Sequence, residues 1–105
     1  MISPDGRFEW DNDKNILNKE DHGFYFEEIL CVFDDPFFLE AYDREHSSYN
    51  EERWKGIASI DQRIYFFLSY TEQKNRIRII SARLAEPLEK ERYNENYQQQ
   101  ITGYE

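Results

Sequence analysis

The stretch that decides the fold is WKGIASIDQRIYFFLSYTEQKNRIRIISAR, residues 54–83. Apolar and polar side chains alternate along much of it, and this period of two residues indicates β-strands rather than helices. The pattern predicts three strands at 54–60, 64–70 and 76–83, with short connections between them. Strands joined by such short connections pair in an antiparallel way, so we expect a meander.

The middle segment of this stretch is apolar on both of its faces. One face carries Ile64, Phe66, Leu68 and Tyr70, and the other carries Tyr65 and Phe67. A strand with two apolar faces is covered on both sides of the sheet. We therefore expect this segment to be the central strand.

Shorter elements are predicted before the meander. Phe8–Trp10 alternate between apolar and polar, which indicates a short strand. Asp11 or Asn12 can cap a helix over residues 12–21, and Gly23 supplies the left-handed conformation that commonly ends a helix.

A second helix is predicted where apolar residues recur at helical spacing. These residues are Phe26, Ile29, Leu30 and Phe33, and Asp34–Pro36 ends the run. The apolar stripe is expected to face the core.

The remainder of the chain adds an edge strand at 37–42, a polar loop at 43–50 and a last helix at about 87–97. We expect an α+β fold in which helices cover one face of the sheet. The other face is expected to contact a partner, because the central strand is apolar on both sides. Residues 1–97 then form one domain and residues 98–105 a flexible tail.

Composition limits the class of protein. A chain of 105 residues with 39% hydrophobic and 17% aromatic residues suits one compact domain. We expect no membrane contact, because no apolar run of spanning length and no signal-peptide pattern is present. The lone Cys31 excludes an internal disulfide and a cysteine-based metal site, so a reducing cytoplasm is the expected location.

The formal charge of −9 is unevenly distributed. Residues 1–52 hold 15 acidic and 4 basic residues, a net charge of −11, whereas residues 53–105 have a net charge of +2. Residues 53–83 alone have a net charge of +5, so a polyanion would bind there. The acidic total argues against loose, nonspecific binding of nucleic acid.

An ordered set of short motifs runs from residue 8 to residue 93. It comprises Phe8-Glu9-Trp10-Asp11, Lys14, Asn18, His22-Gly23, Phe26-Glu27-Glu28, Phe33-Asp34-Asp35-Pro36, Asp43, His46-Ser47, Glu51-Glu52-Arg53, Tyr70-Thr71-Glu72, Arg76 to Arg83, Ala85, Glu91-Arg92 and Tyr93. As an ordered set, these residues resemble the BrnT family, toxins of bacterial type II toxin-antitoxin systems with a RelE-like fold.

The resemblance implies a small endoribonuclease that arrests translation by cutting RNA without a metal or another cofactor. It also implies neutralisation by a BrnA-like antitoxin, a ribbon-helix-helix protein encoded beside the toxin. The pair would repress its own operon and contact operator DNA through the antitoxin alone.

Two features depart from the family pattern. The family commonly carries a lysine, implicated in toxicity, just before the His-Gly pair, and here that residue is Asp21. Lys19 points about 200° away from it on a helix and is no automatic substitute. The acidic total is also unlike RelE-type toxins. These departures motivate a second hypothesis, a weakly active module that binds the antitoxin and acts in operon repression, and a third, an unrelated acidic adaptor.

RNA cleavage without a metal uses attack of the 2′-hydroxyl on the adjacent phosphate, with a base, an acid and a cation that stabilises the phosphoryl oxygens. Arg78 and Arg83 match the family pattern and are the candidate phosphate stabilisers. Strict alternation would put them on opposite faces of one strand. Both can serve one site only if Arg83 lies past a bulge or at the strand end.

The other candidate catalytic residues are Glu52 as the base and His46 as the acid. The candidate RNA-binding residues are Arg53, Lys55, Arg76 and Lys19, with Tyr70 and Lys14 as further contributors. Each of these could instead be an ordinary surface residue or an ion-pair partner of the acidic half. His22 is expected to pack at a helix end.

No metal site is predicted. The carboxylate pairs Glu27-Glu28 and Asp34-Asp35 diverge by about 100° on a helix, and no further ligand converges on either pair. We expect the acidic half of the chain and the exposed sheet face to contact a basic or amphipathic antitoxin segment.

Overall fold

The computed structural model describes residues 1–103, so the last two residues of the predicted tail lie outside the described part. The strands are β1 Phe8–Trp10, β2 Leu39–Tyr42, β3 Arg53–Ile60, β4 Ile64–Gln73 and β5 Arg76–Leu84. The helices are α1 Asn12–His22, α2 Pro87–Thr102 and two short 3₁₀ helices, Phe26–Glu28 and Leu30–Asp34. In residues 1–103 no helix is both long and apolar enough to cross a bilayer.

The strands form one mixed sheet in the order β1-β5-β4-β3-β2. β1 runs parallel to β5, and the other neighbours are antiparallel. The predicted meander and the central position of its middle strand are therefore confirmed. β4 and β5 are longer than predicted, because they are joined by Lys74 and Asn75 alone, both with positive φ, as a tight two-residue hairpin requires.

The predicted second helix is wrong in kind. Two 3₁₀ helices stand at 26–28 and 30–34, and Phe26, Val32 and the intervening Ile29 are buried. These three residues are spaced three positions apart, which is the period of a 3₁₀ helix. The prediction instead assumed the spacing of an α-helix. The apolar contacts toward the core were anticipated, but the helix type was not.

Helix α1 begins and ends as predicted, but it packs through polar side chains. Asp11 accepts hydrogen bonds from the first-turn amides, and Gly23 ends the helix at φ 90°. Its buried side chains are Asn15 and Asn18, whereas Ile16 and Leu17 are exposed. The Oδ1 atom of Asn18 accepts a hydrogen bond from the Ala82 amide of β5 at 3.1 Å.

The helix face, defined as the side of the sheet that packs against α1 and the 3₁₀ helices, holds the main core. Its buried members are Phe8, Trp10, Phe26, Ile29, Val32, Ala58, Phe66, Leu68, Tyr70, Ile79 and Ala82. Because they come from four strands and both 3₁₀ helices, this face supplies most of the apolar burial that stabilises the fold.

The opposite side, here the α2 face, is covered at one end only. Tyr93 and Tyr97 of α2 pack there with Tyr65, Phe67 and other apolar side chains. The expectation that helices cover one face alone is thus wrong, and the apolar second side of β4 is explained by α2 rather than by a partner. Helix α2 also continues to Thr102, through five residues assigned to the predicted tail.

Candidate active site

A bulge in β5 decides which side chains share the α2 face. Ser69 of β4 pairs with Ser81, but the next residue, Tyr70, pairs with Ile79. Ile80 is therefore an extra residue, and the alternation of side chains shifts by one position at this point.

The bulge brings the two candidate phosphate stabilisers to one face. Arg78 lies opposite Thr71 and Arg83 lies opposite Phe67. Thr71 and Phe67 are four residues apart on β4, so they share a face, and so do the arginines opposite them. Arg83 therefore lies past a bulge from Arg78, as a site that uses both arginines requires.

Four cations occupy the end of the α2 face that α2 leaves open, and we call them the basic patch: Arg53, Lys55, Arg76 and Arg78. Arg53 and Arg78 both lie beside Thr71, from opposite sides. Since neighbouring strands are about 4.8 Å apart, the backbones of these two arginines are about 10 Å apart. Long arginine side chains can converge across that span on one phosphate.

The arginines of the basic patch have weak polar partners. Arg53 Nε lies 2.8 Å from Glu51 Oε1, and Arg78 Nη1 lies 3.8 Å from Glu9 Oε2. The Arg53 and Arg78 side chains are 31% and 35% exposed. Exposed ion pairs are worth about 0–1 kcal/mol, so an incoming phosphate can compete for these guanidinium groups.

His46 stands at the rim of a cavity of about 320 Å³ beside the basic patch. Its Nδ1 atom lies 2.9 Å from Oδ2 of Asp43, and its backbone amide donates to Oδ1 at 3.2 Å. Asp43 is buried, whereas the imidazole is 62% exposed. The cavity lining includes Arg53, Lys55, Phe67, Ser69 and Ser81.

The electrostatics of this pair define the state of the imidazole. Burial by itself raises the pKa of the Asp43 carboxyl, but the hydrogen bonds from the His46 side chain and backbone outweigh it and hold that pKa below 3.8. An ionised Asp43 requires the proton of His46 on Nδ1, which leaves Nε2 directed away from the carboxylate for proton transfer.

Arg83 lies on the same face but is held by α2. Its Nη1 and Nη2 atoms bond to Oε1 and Oε2 of Glu89 at 2.8 and 2.9 Å, and its guanidinium lies 4.3 Å from the centre of the Phe67 ring. The Glu89 hydrogen bonds raise the pKa of Arg83 despite its partial burial. Arg83 is therefore an ion-pair partner in this structure and does not line the His46 cavity.

A family model described as "Ribonuclease toxin, BrnT, of type II toxin-antitoxin system" matches residues 10–89, about three quarters of the chain. The chain belongs to the BrnT family. As a type II toxin-antitoxin toxin, a BrnT protein has an antitoxin partner.

One solved structure supports the same fold. The crystal structure of the ribonuclease toxin BrnT of Brucella abortus matches with a TM-score of 0.57 and 18% sequence identity, covering 76% of this chain and 96% of that chain. At that identity the likeness shows the fold alone. No curated protein matches this chain significantly.

The structure does not bring all predicted residues of this BrnT chain to one place. Glu52 is exposed just before β3, where its backbone oxygen accepts a hydrogen bond from Thr71 Oγ1 at 2.6 Å, but it does not line the His46 cavity. Lys19 lies in α1, where Nζ donates to the Gly23 oxygen at 3.1 Å. Lys19 thus belongs to the helix layer, on the other side of the sheet.

Three further positions lie outside the His46 cavity. Tyr70 is buried in the core of the helix face, where its hydroxyl donates to Glu40 and burial raises its pKa, and it does not line the His46 cavity. Lys14 and Asp21 are exposed on α1, away from the His46 cavity. The residue that departs from the family pattern is therefore outside this site.

Sequence reasoning gave Asp43 no role of its own and did not single out Ser69 or Ser81. The spacing of Asp43 and His46, three residues apart in a polar loop, was the available signal, since an Asp side chain commonly accepts hydrogen bonds from residues just after it. Within residues 1–103 no group of three or more His, Cys, Asp or Glu residues could hold a metal ion.

Proposed function

We propose that this BrnT protein is an endoribonuclease whose active site is the basic patch together with His46 and Asp43. The observation that carries the proposal is an exposed imidazole, held by a buried carboxylate, at a cavity lined by the cations Arg53 and Lys55. An acid-base group beside phosphate-binding cations is what RNA cleavage through the 2′-hydroxyl requires.

In the proposed reaction the 2′-oxygen attacks the adjacent phosphorus while a base removes its proton. The bond from phosphorus to the 5′-oxygen breaks, and an acid protonates that oxygen. The products are a 2′,3′-cyclic phosphate and a 5′-hydroxyl end. His46, with both ring nitrogens protonated, gives the proton on Nε2 to the leaving 5′-oxygen and keeps the one on Nδ1 toward Asp43. Glu52, an exposed carboxylate one residue before Arg53, is the candidate base that takes the 2′-hydroxyl proton.

Negative charge builds on the phosphoryl oxygens during this attack, and fixed cations stabilise it without a metal ion. Arg53, which lines the cavity with Lys55, and Arg78, which lies across Thr71 from Arg53 and outside the lining, are the candidates for that role. Arg83 would contact the phosphate only if its ion pair with Glu89 broke. Arg76 suits a neighbouring phosphate, whereas any RNA contact of Lys19 would lie outside this site.

The proposed biological role is arrest of translation in the cytoplasm, with neutralisation by a BrnA-like ribbon-helix-helix antitoxin that also makes the contacts with operator DNA. We propose that the acidic residues 1–52 receive a basic or amphipathic antitoxin segment. The exposed Ile16 and Leu17 of α1 lie beside acidic side chains and support such a contact. A copurified complex that buries only residues 84–105 of this chain would contradict it.

The test is an RNA cleavage assay on the separated protein in excess chelator, with analysis of the product ends. We expect cyclic phosphate ends and a loss of about 10²- to 10⁴-fold in His46→Gln, the range for removal of a general acid. Arg78→Ala should also lose activity. Arg63→Ala, an exposed arginine at the other end of the sheet, is the matched control. Activity that needs added metal, or that survives in His46→Gln, would refute the mechanism.

A second function is supported by the ion pair of Arg83 with Glu89 and by the acidic Asp21. In this alternative the chain binds its antitoxin and acts in operon repression but cleaves RNA poorly. Expression of the chain alone separates the two. Growth arrest that His46→Gln relieves supports the enzyme, whereas normal growth with intact antitoxin binding supports the binding module.

A further inference from the structure

A second cavity opens next to the His46 cavity, between α2 and strands β2 and β3. Its volume is about 350 Å³, and we call it the α2 groove. Lys55 and Phe67 line both cavities, so the two are neighbours on the α2 face. Its size lies at the small end of ligand pockets, which are about 300–1,000 Å³.

The lining of the α2 groove combines an apolar floor with charged groups on the α2 side. Leu39, Ile57 and Phe67 supply apolar surface, and Glu89 and Arg92 come from α2. Glu89 and Arg92 are three residues apart and therefore lie on the same side of the helix. Both Glu89 oxygens accept hydrogen bonds from Arg83, whereas Arg92 is exposed and can donate to a ligand. The other exposed charged residues of the lining are Glu40 and Lys55.

This combination suits an unstacked nucleobase. Bases of single-stranded RNA are bound by stacking on aromatic rings and by hydrogen bonds to their edges, and an arginine fork donates to ring nitrogens and carbonyl oxygens. A strand whose phosphate occupies the basic patch would pass Lys55 and put its next base over the α2 groove. The charged lining residues balance, with Lys55 and Arg92 against Glu40 and Glu89, so the groove suits an uncharged base rather than a phosphate.

We propose that the α2 groove holds the base of a nucleotide next to the cleaved phosphate, and that Arg92 determines the base preference at that position. The proposal rests on the proposed ribonuclease activity. The α2 groove would be a base-binding site in addition to the residues that cleave the RNA.

The test is cleavage of an RNA library with random bases around the cut, read by sequencing the product ends. In Arg92→Ala the preference at one position beside the cut should fall by about fivefold or more, because one specific base contact is lost. Lys90→Ala is the matched control, since it removes one cation from α2 outside the groove. The control should keep the preference of the original chain.

A second variant fills the groove. Ala41 lines it from the exposed edge strand, so Ala41→Trp adds a ring there without removing a buried contact. The preference should disappear in this variant as well. Unchanged preferences in both variants would overturn the proposal. So would loss of the copurifying antitoxin from Arg92→Ala with an unchanged preference, because the groove would then be an antitoxin site.

A binding measurement keeps this inference separate from the activity. A 2′-O-methyl RNA cannot react, so it can be titrated against the isotope-labelled protein while backbone amide and methyl signals are recorded. We expect shifts at Ile57 and Leu39 that are absent in Ala41→Trp. Failure of the original chain to cut any RNA would refute the proposed function alone, whereas shifts confined to the basic patch would refute the α2 groove as a base site.

Discussion

The helix face and the α2 face are built by the same strands, yet the first mainly buries apolar side chains and the second also carries cations. The helix face buries a continuous cluster that includes Phe66, Leu68 and Tyr70. The α2 face has a small cluster around Tyr93 at one end and exposed cations at the other. Because side chains alternate along a strand, one face can supply stability while the other keeps charges that would destabilise a core.

The bulge at Ile80 adds charged side chains to the α2 face without removing buried side chains from the helix face. On the helix face Ile79 and Ala82 remain buried on either side of it. On the α2 face the inserted residue lets Arg83 share a surface with Arg78. A regular strand would have pointed one of these guanidinium groups into the core.

The largest effect is expected where the two faces are compared at neighbouring residues of β4. Leu68 is fully buried on the helix face, so Leu68→Ala should lower the free energy of unfolding by about 2–5 kcal/mol. Ser69→Ala, one residue later on the α2 face, should change it by less than about 1 kcal/mol. Urea denaturation of both variants measures the difference. Equal losses would show that the α2 face stabilises the fold as much as the helix face.

The elements that sequence predicted well are those set by local patterns. The meander follows from alternation, and the ends of α1 follow from Asp11 and Gly23. The elements missed depend on contacts between distant parts of the chain. The 3₁₀ helices bury Phe26 and Val32 in one cluster with residues of four strands, and the ion pair of Arg83 with Glu89 depends on α2 returning to the sheet.

In the candidate site, too, the sequence identified individual residues but not the contacts between distant parts of the chain. Arg78 and Arg83 were identified as residues, but only the pairing register reveals the bulge that unites them. Lys19 was grouped with the site by residue type, since sequence does not tell which side of the sheet α1 covers. Glu52 lies next to Arg53 but outside the lining of the His46 cavity. His46 was found, and its partner Asp43 gained a role only from the geometry.

A medium effect is expected for the polar attachment of α1 to the helix face. Asn18→Ala leaves the Ala82 amide without its acceptor and should cost about 1–3 kcal/mol. Leu17→Ala on the same helix removes an exposed side chain and should change the free energy of unfolding by about 0.5 kcal/mol or less. Thermal and urea unfolding would check this order, which is the reverse of the usual one for Asn and Leu. A larger loss in Leu17→Ala would contradict it.

A smaller effect is expected at the anchor of α2. The Tyr93 hydroxyl donates to Asp35 at 2.6 Å and lies 3.0 Å from Ser59 Oγ and from Gln62 Nε2. Tyr93→Phe keeps the ring and should cost about 1–2 kcal/mol through these lost bonds. Tyr97→Phe on the same helix is the control, expected to be near neutral. A neutral Tyr93→Phe would show that apolar packing alone holds α2 on the sheet.

The smallest effect concerns pH and the pair of Asp43 with His46. The pKa of the Asp43 carboxyl is lowered in the folded protein, where hydrogen bonds from His46 outweigh the opposing effect of burial. A lowered pKa contributes stability that is present above the ordinary value of 3.8 and is lost as the pH falls through the lower folded value. Asp43→Asn removes this titration and serves as the reference for the original chain.

The stability difference between the original chain and Asp43→Asn should be present above pH 3.8 and should shrink below it. Urea unfolding at a series of pH values measures it, with Glu45→Gln in the same loop as the control for loss of a carboxylate. A difference that persists at the lowest pH would mean that Asp43 acts through its shape and not its charge. Its carboxylate would then no longer fix the proton of His46 on Nδ1, and the role of that imidazole as the acid would lose its structural basis.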